Sequence, residues 1–102
     1  MRHVRVAVYQ FNPGMSDEEI VRWTREGSLP VYQQQPGFVA YEAIHAEGDT
    51  WISVTTWESR ERADAGSERI GKWIRETPRM ASLVRSRDHQ WIGDLTFSTH
   101  GQ

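Results

Sequence analysis

Apolar and polar positions alternate with a period of two in three stretches of the chain, and with a period of three to four in two others. From His3 to Phe11 the residues Val4, Val6 and Val8 fall on one face, with Arg5, Ala7, Tyr9 and Phe11 on the other, as a half-buried strand requires. Phe38 to His45 and Thr50 to Trp57 are crowded with β-branched and aromatic residues. Glu47-Gly48-Asp49 between them supplies turn chemistry, so the pair predicts a β-hairpin. In its second strand Ile52, Val54 and Thr56 alternate with Trp51, Ser53, Thr55 and Trp57. In its first, strict alternation puts Tyr41 on one face with Val39 and Ala43.

The helical pattern lies on either side of this hairpin. Ser16, followed three residues later by Glu19, forms a capping box, and Asp17-Glu18-Glu19 meets the positive end of a helix dipole, so a helix starts at Asp17. Ile20, Trp23, Thr24 and Gly27 give it one buried stripe. Gly27-Ser28-Leu29-Pro30 interrupts it before a last turn from Val31 to Gln35. Ser59 caps a second helix, whose Ala63, Gly66, Ile70, Trp73 and Ile74 recur at spacings of three and four until Thr77-Pro78 bends or restarts it. Met80 to Val84 reads as another helical turn, Arg85 to Asp88 as a polar loop, and Gln90 to Thr99 as a final strand. The order βαββαβ predicts an α+β, ferredoxin-like fold: a four-stranded antiparallel sheet with two helices on one face. One domain spans residues 1–102.

Leu, Ile, Val and Phe make up only about a fifth of the chain, a level at which a highly charged sequence would not fold. The formal charge is only −2, and five tryptophans and three tyrosines supply the missing bulk, so an aromatic-rich core is expected. Large apolar groups fall on both faces of the third strand, and on the fourth Trp91, Leu95 and Phe97 oppose Ile92. One sheet face would therefore leave rings in water, and a homodimer with sheets packed face to face is expected. Intermixed charges without a basic stripe argue against nucleic acid. The absence of a long apolar run argues against a membrane and for a cytoplasmic protein. With no cysteine there is no disulfide, thiolate chemistry or iron–sulfur cluster. His3, His45, His89 and His100 show no metal-ligand spacing, and no metal is expected. Glu42 is a carboxylate among apolar strand residues, read as an outward or dimer-edge group, or as a general base.

Gln35-Pro36-Gly37-Phe38, the tyrosine-bearing second strand, Thr56-Trp57-Glu58-Ser59 and the helix containing Trp73 together resemble the antibiotic biosynthesis monooxygenase domain, a branch of the dimeric α+β barrel superfamily. The likeness spans nearly the whole chain. It implies a homodimer with a pocket between sheet and helices in each subunit, and oxygenation of polycyclic phenols without metal, flavin or other cofactor. A phenol must lose a proton before its anion can pass an electron to O₂, so such a site needs a base or oxyanion donor within aromatic walls. In the family a Trp at the end of the third strand takes part, matched by Trp57. Its usual Asn partner is replaced by Ser53, which has one hydroxyl where Asn offers an amide donor and a carbonyl acceptor. The candidate catalytic residues are thus Trp57 and Ser53, and the candidate substrate-binding residues Tyr9, Trp23, Tyr32, Tyr41 and Trp73. The family's haem-degrading branch pairs a first-strand Asn with a Trp and an axial His on the second helix. Here the first strand offers Tyr9 and Gln10, and Ser59 to Thr77 holds no histidine.

Core packing explains some of these residues equally well. Trp57 at a strand-to-helix junction would plug the barrel end, and Trp73 shares a helix stripe with Ile70 and Ile74. Two functions remain open on sequence: a cofactor-independent monooxygenase-like protein that binds a planar phenol or quinone, and a non-catalytic ligand-binding or assembly protein on the same barrel. A pocket filled by its own side chains would favour the second.

Overall fold

The computed structural model describes residues 2–78 and 84–94, and the side chains of all of these except 84–92. The strands are β1 (His3–Phe11), β2 (Phe38–His45), β3 (Thr50–Trp57) and β4 (Val84–Asp94). The helices are α1 (Asp17–Trp23), α2 (Leu29–Gln33) and α3 (Arg60–Glu76). All pairings are antiparallel and the sheet order is β2-β3-β1-β4, the ferredoxin-like arrangement expected from the element order. Both helix starts are capped as read: Ser16 Oγ accepts from the Glu19 N–H and Ser59 Oγ from the Arg62 N–H. Gly48 takes φ +56° in the hairpin turn, which favours a residue without a Cβ.

Between α1 and α2 the chain does not break. Thr24–Ser28 forms a π-helical turn, and the Leu29 N–H reaches back five residues to the Thr24 carbonyl. Pro30 has no N–H and would press on the carbonyl four residues earlier, so widening the preceding turn lets the helix run on past it. The expected interruption is thus a local rewinding.

Two expectations fail through β-bulges. The pairing skips Val39, with Phe38 opposite Trp57 and Ala40 opposite Thr56. Tyr41 therefore packs in the same cluster as Phe38, and its alternation partner Val39 is not part of that cluster. The expected polar loop Arg85–Asp88 is strand: β4 starts at Val84, and shifts between Val8/Tyr9 and Gln10/Phe11 leave Asp88 and Arg85 without a pairing partner on β1. Two extra residues broke the alternation that would have revealed the strand. The expected turn from Met80 and the strand's continuation to Thr99 lie outside the described residues.

One face of the sheet carries the helices. There Ala7, Phe11, Trp51, Ser53, Thr55 and Trp57 are buried, and α3 contributes Ala63, Gly66 and Ile70. Two buried basic residues, His3 and Arg5, start the same face of β1. The Arg5 guanidinium donates to Asp64 of α3, and His3 Nδ1 lies 3.4 Å from the Asp94 carboxylate. The opposite face presents Val4, Val6, Val8, Ile52 and Val54, all partly exposed, and Ile44, half exposed.

Candidate functional site

The aromatic rings on the helix-side face gather in two clusters. In one, Trp57 is fully buried: Tyr32 and Phe38 pack on it at 6.3 and 5.6 Å, and its indole N–H donates to Thr55 Oγ1 at 3.0 Å. A side chain at Gly66 would collide with its ring, so α3 approaches the sheet closely there. In the other, Phe11 meets Trp51 edge to face at 6.5 Å, with Ile20 of α1 beside them.

A cavity of about 40 Å³ lies between sheet and helices, bordered by Tyr9, Phe11, Thr24, Ser28, Tyr32, Tyr41, Trp51, Ser53, Ile70 and Ile74 among others. A single water needs at least about 10–15 Å³, so the cavity has room for a few waters at most. A larger groove of about 160 Å³ shares Thr24, Ala43 and Trp51 with it and is otherwise lined by Val21, Arg25 and Leu29. Together the two have aromatic and aliphatic walls, and their side-chain hydroxyls come from Tyr9, Tyr32, Tyr41, Thr24, Ser28 and Ser53. Arg25 is the one charged residue among the described residues that line them.

Burial, the neighbouring Tyr9 and a hydrogen bond with Thr24 act on the Tyr41 phenol, and burial wins: its pKa is pushed up to about 12. Tyr41 therefore keeps its proton near neutrality and serves as a donor. Among the described residues that line the cavity and the groove, none is a carboxylate or an imidazole.

At the rim, His45 stacks on Trp51 with ring centroids 4.8 Å apart and planes 4° from parallel. Its Nδ1 is 2.9 Å from Asp17 Oδ1 and its Nε2 2.6 Å from the Gly48 carbonyl. Both neighbours only accept, so the pair of contacts favours the protonated ring, in which both nitrogens donate. The Gly48 bond first, then Asp17, raises its pKa above the ordinary histidine value.

Of the seven candidates read from the sequence, Tyr9, Tyr32, Tyr41 and Ser53 border the cavity. Trp57 is sealed in the core behind Tyr32 and borders neither cavity nor groove. Nor do Trp23, half-buried on α1, and Trp73, whose ring lies against Gly27 of the π-helical turn. Sequence reasoning missed Trp51, Thr24, Ser28 and Arg25. Trp51 was visible as a large apolar residue alternating with Ile52, but the helix residues came into view only with the π-helical turn that presents them. Among the described residues, no group of three or more His, Asp or Glu could hold a metal ion, and no helix is long and apolar enough to cross a membrane.

The whole backbone was compared with solved structures. SnoaB, a cofactor-independent oxygenase from Streptomyces nogalater, superposes with a TM-score of 0.68 at 11% identity, over 99% of this chain and 95% of its own. The fold is that of the antibiotic biosynthesis monooxygenase proteins. The monooxygenase ActVA-Orf6 of Streptomyces coelicolor, solved with nanaomycin D, gives 0.72 at 13% identity, covering 98% and 92% of the two chains. A MhuD variant with two manganese protoporphyrin IX molecules per active site gives 0.73 at 15% identity, covering 97% and 99%. No protein-family model and no curated protein sequence matches the chain. At these identities the likeness is one of fold, and the site must be argued from its own residues.

Proposed function

We propose that this protein is a homodimeric, antibiotic biosynthesis monooxygenase-type protein that binds a planar phenol or quinone between its sheet and helices. The observation that carries the reading is the composition of the cavity and groove: hydroxyls and one cation set in aromatic walls, with Tyr41 held as a proton donor. Flat faces of Phe11, Tyr32 and Trp51 suit a flat ligand, and hydroxyl donors with Arg25 suit an oxygen that carries negative charge.

The same composition limits the chemistry. A described lining without a side-chain base suits ligands whose phenol or activated methylene ionises readily by itself, the resulting anion accepting from Tyr41. Such an anion can give an electron to O₂. The net change at a methylene carbon is replacement of two hydrogens by one oxygen, the second oxygen atom leaving as water with those hydrogens. Oxygenation without metal or flavin is the activity we assign to the bound state, by likeness to the oxygenases that share this fold.

The dimer uses the sheet face opposite the helices. Val4, Val6, Val8, Ile52 and Val54, partly exposed, and Ile44, half exposed, give that face the apolar character of an interface.

The small inner cavity favours a second reading, a binding or assembly protein that never turns its ligand over. A thermal-shift screen with planar phenols, anthrones and quinones tests binding, since a ligand of the native state raises Tm by mass action. Oxygen uptake with any binder separates the two readings. Binding with uptake supports the oxygenase, binding without uptake supports a binding protein, and no shift with any compound contradicts the oxygenase and favours the assembly protein.

A further inference from the structure

The two voids beside the sheet differ in what they can hold. A protein cavity of about 150 Å³ accommodates one benzene. The inner cavity, at about 40 Å³, is far below that size, and the groove, at about 160 Å³, matches it. An aromatic ring therefore fits the groove, and only a small substituent fits the cavity. Tyr41 borders the cavity and not the groove, so a ring in the groove meets the Tyr41 hydroxyl only through the place where the two voids adjoin. The residues common to both are Thr24, Ala43 and Trp51.

Two of these three are fixed. The Thr24 hydroxyl donates to the Ile20 carbonyl at 2.9 Å, and Trp51 is buried between Phe11 and the stacked His45 ring. Ala43 is the third, and its smallness stands out from its row. The register with β3 places Phe38, Tyr41, Ala43 and His45 opposite Trp57, Thr55, Ser53 and Trp51, so these four share the helix-side face of β2. Three of the four carry rings. Ala43 carries a methyl and is exposed, between Tyr41 on the cavity side and the His45–Trp51 stack at the rim. The row of rings has one gap, and it lies where groove and cavity join.

We propose that Ala43 is a specificity-determining residue of this site: its methyl leaves the doorway through which a substituent of a ring seated in the groove reaches Tyr41 in the cavity. This rests on the function proposed above and deepens it by dividing the site into a ring-sized outer half and an inner half with room for little more than an oxygen. A branched side chain at position 43 fills the doorway. The ring then stays outside, out of reach of Tyr41, although no group that touches the oxygen has changed. Ala43 was not among the site residues read from the sequence, because a small residue on an edge strand carries no chemical signal of its own.

The test is a calorimetric titration of wild type, Tyr41→Phe, Ala43→Leu and the double variant with 1-naphthol, with the wild-type Ala43 methyl followed by ¹H–¹³C NMR and assigned through the backbone. Ala43→Leu should weaken binding about tenfold, and adding Tyr41→Phe to it should cost nothing more, because a hydrogen bond already out of reach cannot be lost twice. In the wild type the ring current of the bound ligand should move the Ala43 methyl resonance. The NMR arm needs no variant, so the proposal stands or falls even if Ala43→Leu fails to fold. Unchanged affinity in Ala43→Leu, a double variant about tenfold weaker than Ala43→Leu, or a methyl that stays still as 1-naphthol binds overturns the doorway and leaves ligand binding intact. A wild type that does not bind, or a Tyr41→Phe variant that binds as tightly, overturns the doorway together with the reading it rests on.

Discussion

Gly66 and Trp57 show how much a single position constrains this molecule. The Trp57 ring occupies the space that any side chain at 66 would need, and the ring itself has no exposed surface. Gly66→Ala overpacks the core at a cost of about 1–3 kcal/mol, which a gain of about 1 kcal/mol in helix propensity reduces to a net loss of up to about 2 kcal/mol by urea denaturation. An unchanged midpoint would show that α3 can move away from the sheet. Trp57→Phe removes the bond to Thr55 and leaves a void, and a loss of about 1–3 kcal/mol with ligand binding retained is expected. Abolished turnover at unchanged stability would return Trp57 to the chemistry. The sequence already allowed Trp57 either role, because a strand end beside a helix cap suits a plug and a catalytic ring alike. Its distance from the cavity is a tertiary fact. Tyr9, Tyr32, Tyr41 and Ser53, named from the sequence, border the cavity; the break at Pro30 pointed to Tyr32 and the family resemblance to Ser53, whereas the bulge at Val39 spoiled the alternation around Tyr41.

The elements read well wherever periodicity was intact. β1, β3 and the hairpin turn, both capped helix starts and the α3 stripe follow from alternation, helical spacing and capping chemistry alone. Legibility ended at the bulges, where one inserted residue inverts the apparent face, and at Pro30, where a breaker signal does not say whether a helix stops or rewinds. The contact between α1 and the hairpin was also invisible, since Asp17 and His45 are far apart in sequence. That contact makes a pH prediction. A histidine whose folded pKa is raised contributes stability that is fully present below its unfolded value of about 6.5 and lost as pH rises through the folded value. Tm should therefore fall from pH 6 toward pH 8.5, and His45→Gln should flatten that slope. A slope that persists in His45→Gln would assign the effect elsewhere. Asp64 has the opposite sign. Its bond with the Arg5 guanidinium holds its carboxyl below the usual range, so its contribution is present above the unfolded value and lost as acid titrates it. Asp64→Asn should weaken the acid dependence of Tm near pH 3–4.

At the scale of the whole molecule, an apolar sheet face and an aromatic cavity lie on opposite sides of one four-stranded sheet. In the proposed function the first serves dimerisation and the second ligand binding. Sedimentation of the wild type at micromolar concentration should give a dimer, and Val6→Lys, a charge in the middle of that face, should give a monomer. A monomeric wild type would refute the assembly. The most direct test of the central claim is a calorimetric titration of wild type and Tyr41→Phe with 1-naphthol. If the hydroxyl-lined cavity is the site and Tyr41 the donor, wild type binds one ligand per subunit and Tyr41→Phe binds about tenfold more weakly with unchanged stoichiometry. Equal affinity in the two proteins, or no heat with either, would contradict it.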